Sequence, residues 1–221
     1  MSCVICQSRK EKRFCPAVHG RICPICCGRE REVTLDCPSE CVYLQQARLH
    51  ERPRSPEELR NSIEAEALFP QIDVGQQFVY DREPLIVGLS FAIARIARGD
   101  RSLRDRDVIA ALTAVTKTYE TLVGSGLHYQ APVASPVQQA LGAELQKMIA
   151  EYREAEQKHL GYYTLKDGEV LKALVFILRM VYARTNGRPK SRAFLDFVLA
   201  QFPEKPTIAS AAESASRIVM P

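Results

Sequence analysis

The sequence predicts a mainly α-helical protein in which a small cysteine-built module, residues 1–50, precedes an all-α domain of about six helices at 57–203. Two observations carry this. All eight cysteines lie between Cys3 and Cys41, and none follows. From Ser55 onward, apolar residues recur at three- and four-residue spacing in six successive stretches. An apolar fraction of 46% is enough for a packed core. Residues 51–56 read as a linker, and 204–221, rich in Pro, Ala and Ser, as a flexible tail.

The module comes first. Its cysteines run C-x2-C-x8-C-x7-C-x2-CC-x9-C-x3-C, and Cys3-Val4-Ile5-Cys6 and Cys23-Pro24-Ile25-Cys26 each supply two sulfurs from one tight turn. That spacing suits a metal that wants four soft ligands at tetrahedral angles. A secretory signal would need an apolar run where Cys3 and Cys6 stand, so the chain is expected to stay in the reducing cytosol, where thiols persist and disulfides do not. A segment this short has few large apolar side chains to fold around, and structural zinc, worth ~10–16 kcal/mol per site, replaces the missing core. Two zinc ions are expected, held by Cys3, Cys6, Cys15, Cys23, Cys26, Cys27, Cys37 and Cys41.

Within the module, Gly28 is read as the exit from a knuckle, Val33-Thr34-Leu35 as one arm of a hairpin, and Cys37 and Cys41 as ligands on one face of a first helical turn, with Pro38 at an early helical position. Knuckle, hairpin and helix-borne ligands together resemble a treble-clef or ribbon-like zinc finger. The run FCPAVHGRICPICCGREREVTLDCPSECVYL, Phe14 to Leu44, also resembles a cysteine-rich segment of uncharacterised bacterial proteins. That resemblance implies a bacterial source and brings no known activity with it.

Two partitions of the sulfurs fit the spacing. An interleaved one gives Cys3, Cys6, Cys23 and Cys26 one ion and Cys15, Cys27, Cys37 and Cys41 the other. A sequential one groups Cys23, Cys26, Cys37 and Cys41 and leaves Cys3, Cys6, Cys15 and Cys27. His19, four residues after Cys15, is a candidate to replace Cys27.

The helices follow in order. Ser55-Pro56-Glu57-Glu58 combines a capping serine, a proline and a glutamate three residues after the cap, and starts a helix to about Leu68. Leu85, Leu89, Ile93 and Ile96 stripe a second, ending at Gly99, and Val108, Leu112, Val115, Tyr119 and Leu122 a third, ending at Gly124. A fourth starts near Ser135 and Pro136 and carries Val137, Leu141, Leu145, Met148 and Tyr152. Asp167 to Ala183 is apolar on most sides and is expected to be the central buried helix. Ser191 caps the last, which carries Phe194, Leu195, Phe197 and Val198 and stops at Pro203.

No phosphate-binding glycine loop, dinucleotide fingerprint or H-E-x-x-H occurs, and His128 and His159 stand alone. All-thiolate sites are closed to water, so no catalytic residues and no small-molecule substrate are expected. No stretch is long and apolar enough for a bilayer, so no membrane partner is expected. Residues 1–54 carry the whole formal excess of +4, about what two Zn(Cys)4 centres would offset. The expected role is a non-catalytic zinc protein that binds nucleic acid, with Arg9, Lys10, Lys12, Arg13, Arg184, Arg188, Lys190 and Arg192 as candidate phosphate contacts. The cluster of Arg95, Arg98, Arg101, Arg104 and Arg106 is interleaved with acids and reads as a salt-linked corner. The alternatives are a zinc-stabilised adaptor for a protein partner, and a redox switch in which the adjacency of Cys26 and Cys27 offers an extra thiol to attack a ligand when oxidised and eject zinc.

Overall fold

A computed structural model describes residues 1–62 and 64–203; the tail expected from Glu204 onward lies outside the described residues. It is mainly helical, with one two-stranded antiparallel sheet and nine α-helices among the described residues. Strand β1, Arg13–Cys15, pairs with β2, Gly20–Ile22, in the register Arg13 to Ile22, Phe14 to Arg21 and Cys15 to Gly20. Helices α1, Pro24–Glu30, and α2, Val42–Arg48, complete the module.

Several local expectations for the module are corrected. The hairpin lies upstream of the expected arm. Val33, Thr34 and Leu35 instead form a turn whose three amides all donate to the Glu30 carbonyl, which closes the end of α1. Gly28 is inside α1, because Cys23 and Pro24 start a helix that the knuckle continues into. Cys37 is not helical: a turn closed by Cys41 N–H donating to the Pro38 carbonyl brings the chain to Cys41, which caps α2.

Segment 51–55 has no regular structure but is pinned, since the Arg54 amide donates to the Ala183 carbonyl and its guanidinium to the Tyr182 carbonyl. Helix α3, Pro56–Arg60, starts with the expected box: the Glu58 amide donates to Ser55 Oγ and the Ser55 amide to Glu58 Oε2. It ends early, and only a single 3-10 turn forms at Glu66–Leu68. Beyond it Arg179 takes the carbonyls of Leu68, Phe69 and Ile72 and holds the chain in a bend at Phe69, where φ is 50°. Helix α4, Gln76–Asp81, was not expected from the sequence.

Helices α5, Glu83–Gly99; α6, Asp105–Ser125; α7, Pro136–Leu160; α8, Asp167–Arg184; and α9, Ala193–Gln201, follow the predicted stripes. α6 runs past Gly124 and ends at Gly126, where φ is 72° and only glycine is unstrained. α8 is the centre, with Val170, Leu174, Val175, Ile177, Leu178 and Val181 fully buried against α6, α5 and α9. Asp105, buried at the start of α6, accepts from the Ser191 hydroxyl and from the Phe194 and Leu195 amides, so one carboxylate ties α6 to the open N-terminus of α9. Among the described residues no helix is long and apolar enough to cross a membrane.

Candidate metal centre

The first two knuckles converge. Cys3 opens a turn in which the Gln7 amide donates to the Cys3 carbonyl at 2.8 Å, while the Cys3 amide donates to the Arg9 carbonyl at 2.8 Å. Cys23 caps α1, its sulfur accepting from the Cys26 amide at 3.4 Å. The Val4 amide donates to the Arg21 carbonyl and so hangs the first knuckle on the edge of β2, which leads directly to Cys23. As a result the sulfurs of Cys3, Cys6, Cys23 and Cys26 all lie within 4.8 Å of one another. Ideal zinc–sulfur bonds of about 2.3 Å at tetrahedral angles put sulfurs about 3.8 Å apart, so little movement would close the set on an ion.

The electrostatics fit a cation. Burial opposes ionisation of Cys3, but amides of Cys6, Cys23 and Ile5 directed at its sulfur outweigh it and hold the thiol below its ordinary value. The Ser8 hydroxyl, with the Ser8 and Arg9 amides, lowers Cys6 to about 5. Cys26 goes the other way, pushed up to about 12 by burial and then by the sulfurs of Cys23, Cys6 and Cys3. Four thiols in one buried space cannot all ionise against each other; a divalent ion among them removes that conflict. The tetrad can therefore hold a metal ion, and of the two partitions it is the interleaved one whose first set is assembled.

The other four cysteines share a second place. Cys15, Cys27, Cys37 and Cys41 line one small cavity of about 10 Å³ together with Ile22, Leu35 and Leu44. Their sulfurs are not gathered as closely as the first set, which is the one group of close metal donors among the described residues. Burial first, and then Cys15 and Cys41, raise the Cys37 thiol above its ordinary value, although the Glu32 amide directed at it works against this. Arg13 and Arg31 point guanidinium nitrogens at Cys27 Sγ from 3.7 and 3.8 Å. His19 is exposed in the β1–β2 turn at φ 47° and does not line the cavity, whereas Cys27 does.

The basic residues divide into two groups. Arg9, Lys10 and Lys12 are exposed, and their side chains have no partner among the described residues. Arg13 is turned inward, its guanidinium 4.5 Å from the Tyr43 ring centre as well as near Cys27. Arg184 lies over Phe197 at 3.4 Å. Arg188 donates to the carbonyls of Gly28 and Arg31 at 3.2 and 2.5 Å, closing the C-terminal end of α1. Lys190 donates to the Thr34 carbonyl, and buried Arg192 to those of Arg101 and Leu103. The loop expected to meet phosphate thus spends these cations on the protein's own backbone.

That joint is the feature sequence reasoning missed. Glu32, 1% exposed and at φ 52°, accepts from Arg48 at 2.8 Å, from Asn186 Nδ2 at 2.8 Å and from the Arg192 amide at 3.4 Å. Arg48 also pairs with Asp196, which accepts from Ser39. Arg104 forks onto Asp36 at 2.8 and 2.7 Å. The sequence signal was a basic loop; the partners that occupy Arg188 and Lys190 are carbonyls more than 150 residues away, while Arg192 also lies 3.9 Å from Asp196. Comparison with protein-family models, curated proteins and solved structures finds no match to this chain.

Proposed function

We propose that this is a non-catalytic protein whose N-terminal module holds two zinc ions, one in each interleaved cysteine set, and binds nucleic acid with the face turned away from the helices. Zinc is the natural occupant of closed, tetrahedral, all-sulfur sites, and two guanidinium groups beside Cys27 offset the charge of its thiolate.

The observation that carries the nucleic-acid reading is a segregation of charge. Of the module's acids, Glu32 is buried against the helical part, paired with Arg48 and bonded by Asn186 and the Arg192 amide, and Asp36 is neutralised by Arg104. Arg9, Lys10 and Lys12 face solvent with no acid on them, and Arg21, paired with Glu11, is still half exposed. The module's balance is near neutral with zinc bound, yet its outer face is cationic, and phosphate contacts need local charge, not net charge. If all four cations meet phosphates, the logarithm of the affinity falls with the logarithm of salt concentration with a slope of about −3 to −4. Metal analysis of freshly purified, reduced protein should return two zinc ions per chain. Absence of any association with DNA or RNA at low salt would remove the nucleic-acid reading.

A further inference from the structure

Resting on that reading, we propose that the strand bound is an unpaired polynucleotide, one base of which stacks on Phe14 beside Arg21. The β1–β2 hairpin has two faces. Arg13, Cys15 and Ile22 point to the inner one, where Arg13 meets Cys27 and Tyr43 and Ile22 is fully buried. Side chains alternate along a strand, so Phe14 lies on the outer face; exposed Lys12 stands just before β1, its amide donating to the Ile22 carbonyl. Arg21 lies directly across from Phe14. Phe14 is 55% exposed, and its ring meets no other aromatic ring or cation among the described residues.

An exposed aromatic ring on a sheet face with a cation directly across from it, and further exposed cations on the same module, is complementary to an unpaired base and its phosphates. Stacking offers Phe14 a partner that every base can supply, while the cations track the backbone. A duplex has no such use for it: its base faces are already stacked, and only hydrogen-bonding edges and the thymine methyl are displayed in the grooves, to which a phenyl ring offers no donor or acceptor. The face is also held rigidly. Cys15 ends β1 and belongs to one sulfur set, and Cys23 follows β2 and belongs to the other, so the ring needs no ordering when the base arrives. Arg21 pairs with Glu11 through Nε at 3.1 Å and still leaves its side chain half exposed.

The test uses the full zinc-loaded chain and three fluorescent probes in anisotropy titrations at low salt: a twelve-residue oligouridylate, a twelve-residue oligothymidylate and a twelve-base-pair duplex. Both single strands should bind more tightly than the duplex; equal binding of the two assigns recognition to base and phosphate, and tighter uridylate binding adds the ribose hydroxyl. Phe14→Ala should weaken single-strand binding at least about fivefold, and Phe14→Tyr should keep it within about twofold. Duplex binding should not respond to either. Unchanged zinc content and far-ultraviolet circular dichroism would show that the variants are folded. Equal affinity for duplex and single strands, or an unaffected Phe14→Ala variant, overturns this inference and leaves the nucleic-acid reading standing; no binding to any of the three probes overturns both.

Discussion

Glu32 is where the joint between the module and the helices can be broken with one substitution. Its carboxylate is 1% exposed and accepts from Arg48, Asn186 and the Arg192 amide, while the Arg48 side chain is 18% exposed. Removing one partner of a buried ion pair costs about 3–5 kcal/mol, because the other charge stays behind without compensation. Arg48 keeps Asp196, so Glu32→Ala belongs at the lower end, about 3 kcal/mol, or a fall in melting temperature of about 6–12 °C for a chain of this length. A second variant separates backbone from side chain. At φ 52° a residue with a Cβ is strained by about 1–2 kcal/mol, so Glu32→Gly should be more stable than Glu32→Ala by about 1 kcal/mol although both lack the carboxylate. Urea unfolding of the zinc-loaded protein, followed by circular dichroism and by tyrosine fluorescence since the chain has no tryptophan, measures both. Glu32→Ala within about 0.5 kcal/mol of wild type, or Glu32→Gly below Glu32→Ala, would refute the reasoning.

Two more outcomes are expected. Cys26→Ser should lower the zinc count by native mass spectrometry from two to one, and Cys37→Ser should remove the other ion; either variant retaining both would break the interleaved assignment. Arg52 beside Glu58, with the Ser55 amide, holds the Glu58 carboxyl down to about 2, so its favourable contribution to α3 is present above the ordinary value of 4.5 and is lost as pH falls through about 2. A carboxyl titration by nuclear magnetic resonance with its midpoint near 4.5 would contradict this.

What could be read from the sequence was local. Ser55 with Glu58, Ser135 before Pro136 and the apolar stripes of α5 to α9 mark helices by interactions within a few residues, and the structure places those helices accordingly. The cysteine spacing likewise showed that knuckles would form. Which knuckles meet was not legible, because spacing constrains a pair and not its partner; the choice is made by Val4 attaching to the edge of β2. The bend after Leu68 was hidden for the same reason, since Arg179 in α8 holds it. Arg188, Lys190 and Arg192 looked unpaired only because the carbonyls of Gly28, Arg31 and Thr34, and of Arg101 and Leu103, approach from distant parts of the chain.

Arg188 gripping the exit of α1 bears on how this molecule can be taken apart. Many zinc fingers are portable beads that fold and work when cut out and strung elsewhere. Here the helix that carries Cys26 and Cys27 has its last carbonyls closed by a side chain from the far end of the polypeptide. A fragment ending near residue 50 would lose that clasp, so grafting the cysteine-rich part alone into another protein would transplant a piece whose finishing touch was left behind.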